Sequence, residues 1–571
     1  MIVTSAHVSN LACSYTGFQG SLLLIWPGGG GDADTANAFC NELIDRRSNF
    51  MKPKIKTDIL IVGAGPTGLS LGCQFLRHGL DFIIVEKNEA ITPHSKAIGV
   101  HARTLEIFDQ IGLAQEAVAS GTVAGAARLI IDGEIRGELR FSDIGKGMSP
   151  FPFVLMLEQS KTERLLYQYL QSHQKDVLWK TELETFKQDS DGVVAQVRTS
   201  DDETRTISAK YIVGCDGPKS QVRHGLGLKF EGSTFERIFY VADAQVDWQM
   251  SHDTLHVCFS ADSFVVFFPL KGEKRYRIVG VFPQEFNRDE GDILYEEIEA
   301  RIKSETKLEL GIHDVEWFST YKVHTRHVNK FSAGRGFLAG DSAHIHTPAG
   351  AQGMNTGIQD GYNLAWKIAL VMRGANEKLL ETYNEERLEN AKRLVNTTDR
   401  FFGFAAGTDW LMNFLRLHVL PPIAKHLFSL DVVRRFAFPA VSQIGINYRH
   451  SSLSNHAGDE DFEVKAGDRM PYFLVDGQNV FAQLQKPKFH FLAFSREPNG
   501  FKELKDELGG RYPELVDFNA FTISPEVGGV FGANKDFSVL LRPDNHVGTI
   551  SLDNSLSRVQ EYLVKFIGSQ R

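Results

Sequence analysis

Three glycines in the first quarter of the chain have the spacing of a phosphate-binding turn. They form the G-x-G-x-x-G motif of residues 63–68, between the apolar run 59–62 and a helical pattern. Gly63 allows the tight turn, Gly65 lets the backbone approach a pyrophosphate, and Gly68 permits close packing of the helix on the strand. The first helical turn offers free N–H groups and the positive end of the helix dipole to phosphate oxygens. This pattern predicts a dinucleotide site.

An acidic residue lies where such a site needs one. A second apolar run, residues 82–85, ends at Glu86, which is about 20 residues beyond the glycines and is placed to accept hydrogen bonds from a ribose. The motif alone does not distinguish NAD from FAD. The candidate nucleotide-binding residues of this unit are Gly63, Gly65, Pro66, Thr67, Gly68, Glu86 and Lys87.

Two further strand-like segments each end at an aspartate. Residues 211–215 precede Asp216, and residues 336–340 precede Asp341. Parallel α/β sheets bind their ligands at the carboxyl ends of the strands, so both aspartates are candidates for the same site. The loop after Asp341 leads to the start of another helix, where free N–H groups stabilise negative charge.

In this order and spacing, the three motifs closely resemble those of the class A flavoprotein monooxygenases, the family of para-hydroxybenzoate hydroxylase and phenol hydroxylase. The resemblance covers most of the chain from about residue 55 onward. It is greatest, over residues 340–367, to the branch that hydroxylates polyketide aromatics and rifamycins. The resemblance implies that the cofactor is FAD.

The resemblance also implies roles for individual residues. Glu86 would bind the adenosine ribose, Arg103 the pyrophosphate region, and Asp341 the ribityl chain. The other implied contacts are Gln159 with the cofactor, Asp216 in a segment linked to FAD and NADPH, Pro348 at the border of the reacting face, and Gly353, Met354 and Asn355 along the flavin ring.

The reaction implied by the resemblance is aromatic hydroxylation. NADPH or NADH would reduce FAD, O₂ would give a flavin C4a-hydroperoxide, and a phenolic or polycyclic substrate would receive one oxygen. His346 and Tyr240 are candidates, by residue type and position only, for the base that removes a phenolic proton. An epoxidase, a Baeyer–Villiger enzyme, a reductase or a non-catalytic FAD-binding protein of the same fold are the alternatives.

These motifs require an α/β fold with several domains. The resemblance implies a Rossmann-like FAD-binding domain, an inserted β-sheet substrate domain, a helical segment, and a thioredoxin-like C-terminal domain that serves as a structural unit or homodimer contact. Residues 264–268 of the sheet could line an apolar pocket or form its core. The predicted boundaries are 51–230 together with 325–390 for the FAD-binding domain, 231–324 for the β-sheet domain, 391–455 for the helical segment and 456–571 for the thioredoxin-like domain. Residues 1–50 precede them and are expected to be a disordered extension or a wrongly assigned start.

Composition excludes several other classes. The 571 residues carry a formal net charge of −9, which is not the basic footprint of a nucleic-acid-binding protein. The five cysteines have no paired spacing, which argues against a zinc site or disulfide framework and favours the reducing cytoplasm. Nothing in the sequence reads as a membrane span. Arginines between about 380 and 450, Arg387 and Arg393 among them, are expected on a solvated helix face.

Overall fold

The computed structural model describes residues 12–17, 20–25, 54–93, 97–260, 263–282, 293–347, 349–406, 431–456, 462–497, 501–552 and 556–568. The first two ranges form an antiparallel hairpin of Ala12–Gly17 (β1) and Gly20–Ile25 (β2). The rest of the segment 1–50, predicted to be an extension, lies outside the described residues.

A six-stranded sheet organises the nucleotide-binding part. Its strands, in spatial order, are Val177–Leu178 (β11), Phe82–Val85 (β5), Ile59–Val62 (β4), Tyr211–Gly214 (β15), Gly336–Leu338 (β22) and Ser332–Ala333 (β21). All neighbours are parallel except β22 and β21. Every residue of β4 and β15 is buried, because a parallel sheet is covered on both faces.

Six helices and two small sheets surround this sheet. The helices are Pro66–Arg77 (α1), Ala102–Asp109 (α2), Ala114–Ser120 (α3), Phe141–Gly145 (α4), Gln159–Ser172 (α5) and Gln221–Gly225 (α6). The first small sheet contains Glu182–Gln188 (β12), Val193–Arg198 (β13), Thr204–Ala209 (β14) and Lys54–Lys56 (β3). The second contains Gly99–Val100 (β6), Val154–Met156 (β10) and Thr122–Ala124 (β7).

The inserted sheet has eight strands. In spatial order they are His344–Ile345 (β23), Gly311–Val328 (β20), Phe230–Asp247 (β16), Arg275–Val281 (β19), Phe264–Pro269 (β18), Thr254–Phe259 (β17), Ala126–Ile131 (β8) and Glu134–Arg140 (β9). Helix α7, Tyr295–Thr306, packs against one face. The predicted boundary of this domain needs correction, because β8 and β9 come from residues assigned to the FAD-binding domain. Such long-range pairing leaves no local signal in the sequence.

The described residues that follow the inserted sheet include three helices: Gln352–Met372 (α8), Lys378–Ala406 (α9) and Asp431–Val441 (α10). Helix α8 packs against α1 and is buried from Asn355 to Leu370. Short 3₁₀ turns occur at Gly340–Ser342, Ala349–Ala351 and Val480–Gln483. None of the helices in the described ranges is both long and apolar enough to cross a membrane.

The C-terminal part is a separate layered unit. Its sheet contains, in spatial order, Val516–Thr522 (β27), Phe489–Ser495 (β26), Phe537–Leu541 (β28) and Val547–Ser551 (β29). Its helices are Lys502–Arg511 (α11), Pro525–Phe531 (α12) and Leu556–Ile567 (α13), and a small hairpin joins Leu474–Val475 (β24) to Gln478–Asn479 (β25). Strand β26 is parallel to β27 and antiparallel to β28. This βαβ unit followed by an antiparallel pair and a helix is the expected thioredoxin-like arrangement.

Four buried charges join this C-terminal unit to α8 and α9, and we call them the Glu386 cluster. The Glu386 carboxylate accepts hydrogen bonds from Lys367 Nζ at 2.7 Å and from Arg542 Nη1 at 2.6 Å. The Arg542 guanidinium also binds Asp544 at 2.5 Å. No side chain of the four is more than 1% exposed. The two positive and two negative groups therefore neutralise one another inside the protein.

Candidate functional site

The glycine motif has the geometry that its spacing predicts. Gly63 has a φ of +105°, and a Cβ built at Gly68 would lie 2.0 Å from the Gly63 carbonyl oxygen. At Gly65, by contrast, no described atom lies within 4 Å of a built Cβ. The turn is closed on the side of the helix and open above Gly65, so the backbone there is accessible to a phosphate group. Pro66 begins α1 and leaves its first turn unobstructed.

A cavity of about 340 Å³ lies beyond this turn, at the carboxyl ends of β4, β5 and β15. Six predicted residues line it: Gly63, Gly65, Glu86, Lys87, Gln159 and Asp216. Glu86 accepts hydrogen bonds from the backbone N–H groups of Ala64 at 2.8 Å and Asn88 at 3.0 Å. The Glu86 carboxylate is thus held at the end of β5, at the edge of the cavity.

Asp216 combines a structural role with a free acceptor. Its Oδ2 accepts from the backbone N–H groups of Gln221 at 2.7 Å and Val222 at 3.2 Å, at the start of α6. Its Oδ1 is buried and has no hydrogen-bond partner among the described residues. Burial raises the pKa of this carboxyl. An unpaired buried acceptor at the cavity wall is what a ligand with hydroxyl or amide donors would satisfy.

Arg103 does not lie in this cavity, which corrects the expected pyrophosphate contact. Its side chain is 3% exposed and bonds to Glu106 at 3.2 Å and to the Asp544 carbonyl oxygen at 2.8 Å. The guanidinium also lies over the ring of Tyr362. Because α2 turns this side chain toward the C-terminal unit, Arg103 stabilises the contact between the two parts.

Asp341 faces an open space at the end of β22. It is exposed, whereas residues 336–340 and 342–344 on either side are all buried. The carboxyl reaches solvent through this opening, but the protein around it excludes enough water to raise its pKa; the Asp360 charge adds to this effect and His344 opposes it. A single exposed carboxyl in a buried run is available to a bound ligand.

Three segments of the site meet at the Thr67 side chain. A Cβ at Gly340 would lie 2.5 Å from Thr67 Oγ1, and a Cβ at Gly357 would lie 2.3 Å from the same atom. Helix α1, the Asp341 turn and helix α8 therefore meet at the Thr67 side chain. Glycine is required at both positions because the threonine fills the space.

Asp360 fixes the turn that carries Asp341. Its Oδ2 accepts from the Gly340 N–H and from His344 Nε2, both at 2.8 Å, and its Oδ1 accepts from Arg387 Nε at 2.6 Å. Arg387 is fully buried, which corrects the expected solvated position. The side chain of Arg393 is 47% exposed, as expected. Periodicity alone did not reveal that the two arginines of α9 face opposite environments.

The N-terminus of α8 points into the same region. The helix has 21 residues, is preceded by Ala351 in a left-handed conformation, and has no acidic residue in its first turn. Gly353 and Met354 lie in that turn and are half-buried. The free N–H groups there favour negative charge. Pro348 lies outside the described residues.

Asn355 is fully engaged within the protein. Its Oδ1 accepts from the His101 N–H at 2.9 Å and from Thr104 Oγ1 at 2.7 Å. Its Nδ2 donates to the carbonyl oxygens of Gly99 and Ala351, both at 2.9 Å. The amide therefore holds the start of α8 against the loop before α2, and its effect on a bound flavin would come through this positioning.

The inserted sheet presents an apolar face to the nucleotide-binding part. Val266 and Phe268 pack against the core of that part, and Arg277 Nη1 donates to the Ala97 carbonyl oxygen at 3.1 Å. On β18, Phe264, Val266 and Phe268 are half-buried on this inner face, whereas Val265 and Phe267 are buried. Of the two alternatives for residues 264–268, Val265 and Phe267 take the core position, and a pocket lining stays a prediction for the other three side chains. The inner face also includes Phe239, Val241, Asp243, Val279, Val281 and Tyr321.

Tyr240 lies on the opposite face, which corrects its selection as a candidate base. It is fully buried with Ile298 and Ile302 of α7, and its hydroxyl has no hydrogen-bond partner among the described residues. Side chains alternate along a strand, so the neighbouring Phe239 takes the inner face instead. Burial raises the pKa of Tyr240 well above its usual value.

His346 lies beside the start of α8. Its Nε2 would be 3.3 Å from a Cβ at Gly353, and it has no hydrogen-bond partner among the described residues. Its Nδ1 is 2.7 Å from the Thr347 carbonyl oxygen. Burial and the nearby His344 lower the pKa of His346 to about 4. The imidazole is therefore neutral at pH 7 and a weak proton acceptor.

These residues fit an extended dinucleotide such as FAD. The turn open above Gly65, the unpaired Asp216 oxygen, the exposed Asp341 and the unobstructed start of α8 form four sites that suit phosphate, hydroxyl and flavin groups. Sequence reasoning did not select Glu163, which lines the cavity and accepts from Gln159 Nε2 at 2.8 Å. Its place on an amphipathic helix gave no signal.

Comparison with known proteins agrees with this site. Residues 56–398 match the family of the FAD binding domain. A flavin-dependent monooxygenase of Mycobacteroides abscessus is 31% identical over 530 residues, covering 89% of this chain and 100% of that protein. The 6-methylpretetramide 4-monooxygenase of Streptomyces rimosus is 32% identical over 411 residues, 70% of this chain and 72% of that protein.

A solved structure gives the same result. The anhydrotetracycline hydroxylase OxyS from Streptomyces rimosus superimposes with a TM-score of 0.71 at 26% identity, covering 90% of this chain and 100% of that one. The fold and site thus define an FAD-binding flavoprotein. The chain belongs to the family of the FAD binding domain, and within it to the flavin-dependent monooxygenases of the aromatic-hydroxylase type.

Proposed function

We propose that this protein uses NADPH or NADH and O₂ to hydroxylate a phenolic or polycyclic aromatic compound. The observation that carries the proposal is the meeting of the Asp341 turn and helix α8 at Thr67, in a nucleotide-binding part against which the inserted sheet packs half-buried apolar side chains. The two Streptomyces rimosus relatives are named for a pretetramide and an anhydrotetracycline, which supports a multi-ring substrate.

The first step depends on how this chain holds its cofactor. When bound, FAD would supply hydride acceptance from the nicotinamide and activation of dioxygen. The backbone above Gly65 would bind the pyrophosphate, Glu86 the adenosine ribose, and Asp341 the ribityl hydroxyls. Lys87, exposed at the cavity edge, would add a positive charge near the phosphates.

The start of α8 would act on the charge of the flavin ring. Its free N–H groups lie next to Gly353 and Met354, with no acidic side chain in the first turn to oppose them. A helix N-terminus stabilises a nearby anion by about 0.3–1 kcal/mol at exposed sites and up to about 2 kcal/mol when partly buried. This position therefore favours the anionic form of a reduced flavin.

The inner face of the sheet would bind the substrate and exclude water. Phe264, Val266 and Val279 are half-buried there, and an aromatic ring that covers them gains about 25 cal/mol for each Å² of apolar surface removed from water. His346, whose low pKa makes it a poor base, would position the substrate or flavin through its unpaired Nε2. A dry cavity also protects the oxygen-transfer step.

The test is oxidation of NADPH and of NADH by the FAD-loaded protein under air. The compounds offered range from simple phenols to polycyclic quinones and naphthalenes, and products are analysed by mass spectrometry. A compound that accelerates oxidation and gains one oxygen supports the proposal. Two results contradict it for these substrate classes. In the first, every compound that accelerates NAD(P)H oxidation yields peroxide and no oxygenated product. In the second, no compound accelerates oxidation by the flavin-loaded protein.

Two substitutions test the role of the inner face, one on that face and a matched control outside the site. Val266→Asp would place a charge against the proposed substrate and is expected to abolish stimulation by the substrate while FAD remains bound. Val194→Asp, at an exposed position of β13, introduces the same charge outside the site and should leave stimulation unchanged.

A further inference from the structure

The cavity beyond the glycine turn is lined by more acidic than basic side chains, although a pyrophosphate is itself an anion. Its charged lining residues are the carboxyl groups of Glu86, Glu163, Glu182 and Asp216, and the amines of Lys87 and Lys219. A pyrophosphate adds further negative charge to this space. The cost of that charge depends on whether every carboxyl group stays ionised.

Three of the four carboxyl groups have partners in the protein that do not depend on a ligand, although burial raises the pKa of one of them, Asp216. Glu86 accepts from two backbone N–H groups, and Asp216 accepts from two at the start of α6. The side chain of Glu182 is 44% exposed and pairs with Arg198 at 3.2 Å. Each of these three carboxylates has compensation that does not depend on a ligand.

Glu163 is in a different position. It is 3% exposed, lies on α5 in the wall of the cavity, and accepts from Gln159 Nε2 at 2.8 Å. Burial and the neighbouring Glu86 charge raise its pKa to about 7, although Gln159 and the backbone of Thr92 oppose the shift. This carboxyl group therefore changes charge near neutral pH, within the cavity itself.

We propose that Glu163 takes up a proton from solvent when the adenosine diphosphate half of FAD enters this cavity, so that the neutral carboxyl is the form that binds the cofactor. The arriving pyrophosphate disfavours a second negative charge beside Glu86. The neutral group also gains an O–H donor that a carboxylate lacks. The proposal rests on FAD binding and not on the hydroxylation reaction.

The charged groups around Glu163 come from every element that surrounds the cavity. The end of β5 supplies Glu86 and Lys87, β12 supplies Glu182, and the loop before α6 supplies Asp216 and Lys219. The described residues that line the cavity include no histidine. Burial also raises the pKa of Asp216 in the same cavity, so the assignment of a titration of cofactor affinity between pH 6 and 8 to Glu163 depends on the variants described below.

The experiment measures the dissociation constant of FAD against pH. The holoenzyme is diluted at pH 6, 7 and 8, and released FAD is followed by its fluorescence. With an initial pKa of about 7 and a higher value in the complex, the dissociation constant should rise about tenfold from pH 6 to pH 8. ADP-ribose, which contains the pyrophosphate without the flavin ring, should displace FAD and show the same pH dependence.

Two variants separate Glu163 from the other carboxyl groups. Glu163→Gln should bind FAD with nearly the same affinity at pH 6 and 8, close to the wild-type affinity at pH 6. Glu182→Gln, which removes a carboxyl from the same cavity, should keep the tenfold pH dependence. If both variants keep it, or both lose it, the assignment to Glu163 is wrong.

A measurement on the wild-type chain does not depend on how a variant folds. FAD is titrated into the FAD-depleted chain at pH 7.5 by calorimetry, in two buffers that differ in ionisation enthalpy. The proposal predicts net proton uptake of more than about half a proton per FAD bound. No uptake, or proton release, overturns it even if the protein proves to be an active hydroxylase.

Discussion

Replacement of Arg542 by methionine tests the buried connection between the C-terminal unit and the helices of the flavin site. Arg542 donates to Glu386 at 2.6 and 3.0 Å and to Asp544 at 3.0 and 2.5 Å, with both partners fully buried. Without it, two buried carboxylates share the single ammonium of Lys367. Removing one partner of such a buried pair costs about 3–5 kcal/mol of unfolding free energy.

The effect of Arg542→Met should depend on pH. Burial opposes ionisation of Glu386, but the charges of Arg542 and Lys367 outweigh it and lower the pKa to about 2. A carboxyl whose pKa is lower when folded contributes stability above its unfolded pKa of about 4.5, and this contribution is lost as the pH falls toward 2. In the variant, protonation of Glu386 relieves the uncompensated charge, so the deficit at pH 7 should shrink at pH 4.

Denaturant unfolding followed by the combined fluorescence of the six tryptophans measures this deficit; they include Trp366, whose Nε1 donates to Asp544 at 3.1 Å. The matched control is Lys274→Met, which breaks an ion pair with Asp247 whose side chains are 53% and 51% exposed and should cost less than about 1 kcal/mol. A deficit for Arg542→Met no larger than that of the control, or equal at pH 7 and pH 4, would refute the reasoning.

Three further predictions concern the site. Gly65→Ala should leave the fold intact and weaken FAD binding, because its Cβ enters the open space proposed for the pyrophosphate. Gly68→Ala should lower the thermal midpoint, because its Cβ would lie 2.0 Å from the Gly63 oxygen. If FAD titrations and melting curves showed the opposite assignment of the two effects, this reasoning would be wrong. Asp341→Ala should weaken FAD binding about 10–100-fold, the equivalent of losing charged hydrogen bonds worth about 1.5–3 kcal/mol; unchanged affinity in fluorescence titrations would exclude the ribityl contact. Tyr240→Phe removes a buried hydroxyl that has no partner among the described residues, so it should leave stability unchanged or raise it by about 1 kcal/mol. Substrate oxidation should also be unchanged. A large loss of rate would show that Tyr240 acts in the site after all.

The sequence predicted the residues whose roles follow from local geometry. Gly63, Gly65 and Gly68 were identified because a turn between a strand and a helix requires them in a fixed order, and Asp341 because it ends a strand at the ligand-binding edge of a parallel sheet. The α/β fold and the thioredoxin-like C-terminal arrangement were also predicted. The signals for the glycines and for Asp341 lie within short stretches of chain, whereas the thioredoxin-like arrangement was expected from the family resemblance.

The features that sequence reasoning missed depend on distant contacts. Strand alternation predicts that Tyr240 and Phe239 face opposite sides of the sheet, but it does not predict which side meets the flavin-binding part. Arg387 was assigned to solvent because its partner, Asp360, lies on another helix. Arg103 was assigned to the cofactor because its partner carbonyl, that of Asp544, lies in the C-terminal unit. None of these partners is near in sequence.

The central claim is that this chain holds FAD between its parallel sheet and its inserted sheet and transfers one atom of dioxygen to an aromatic compound. The most direct test is turnover of the FAD-loaded protein with NADPH under ¹⁸O₂, using the compound that best stimulates NADPH oxidation. The account predicts a product that carries one ¹⁸O atom on the substrate skeleton, with ¹⁸O-labelled water as the other product. A product without the label, or with oxygen derived from the solvent, would contradict it.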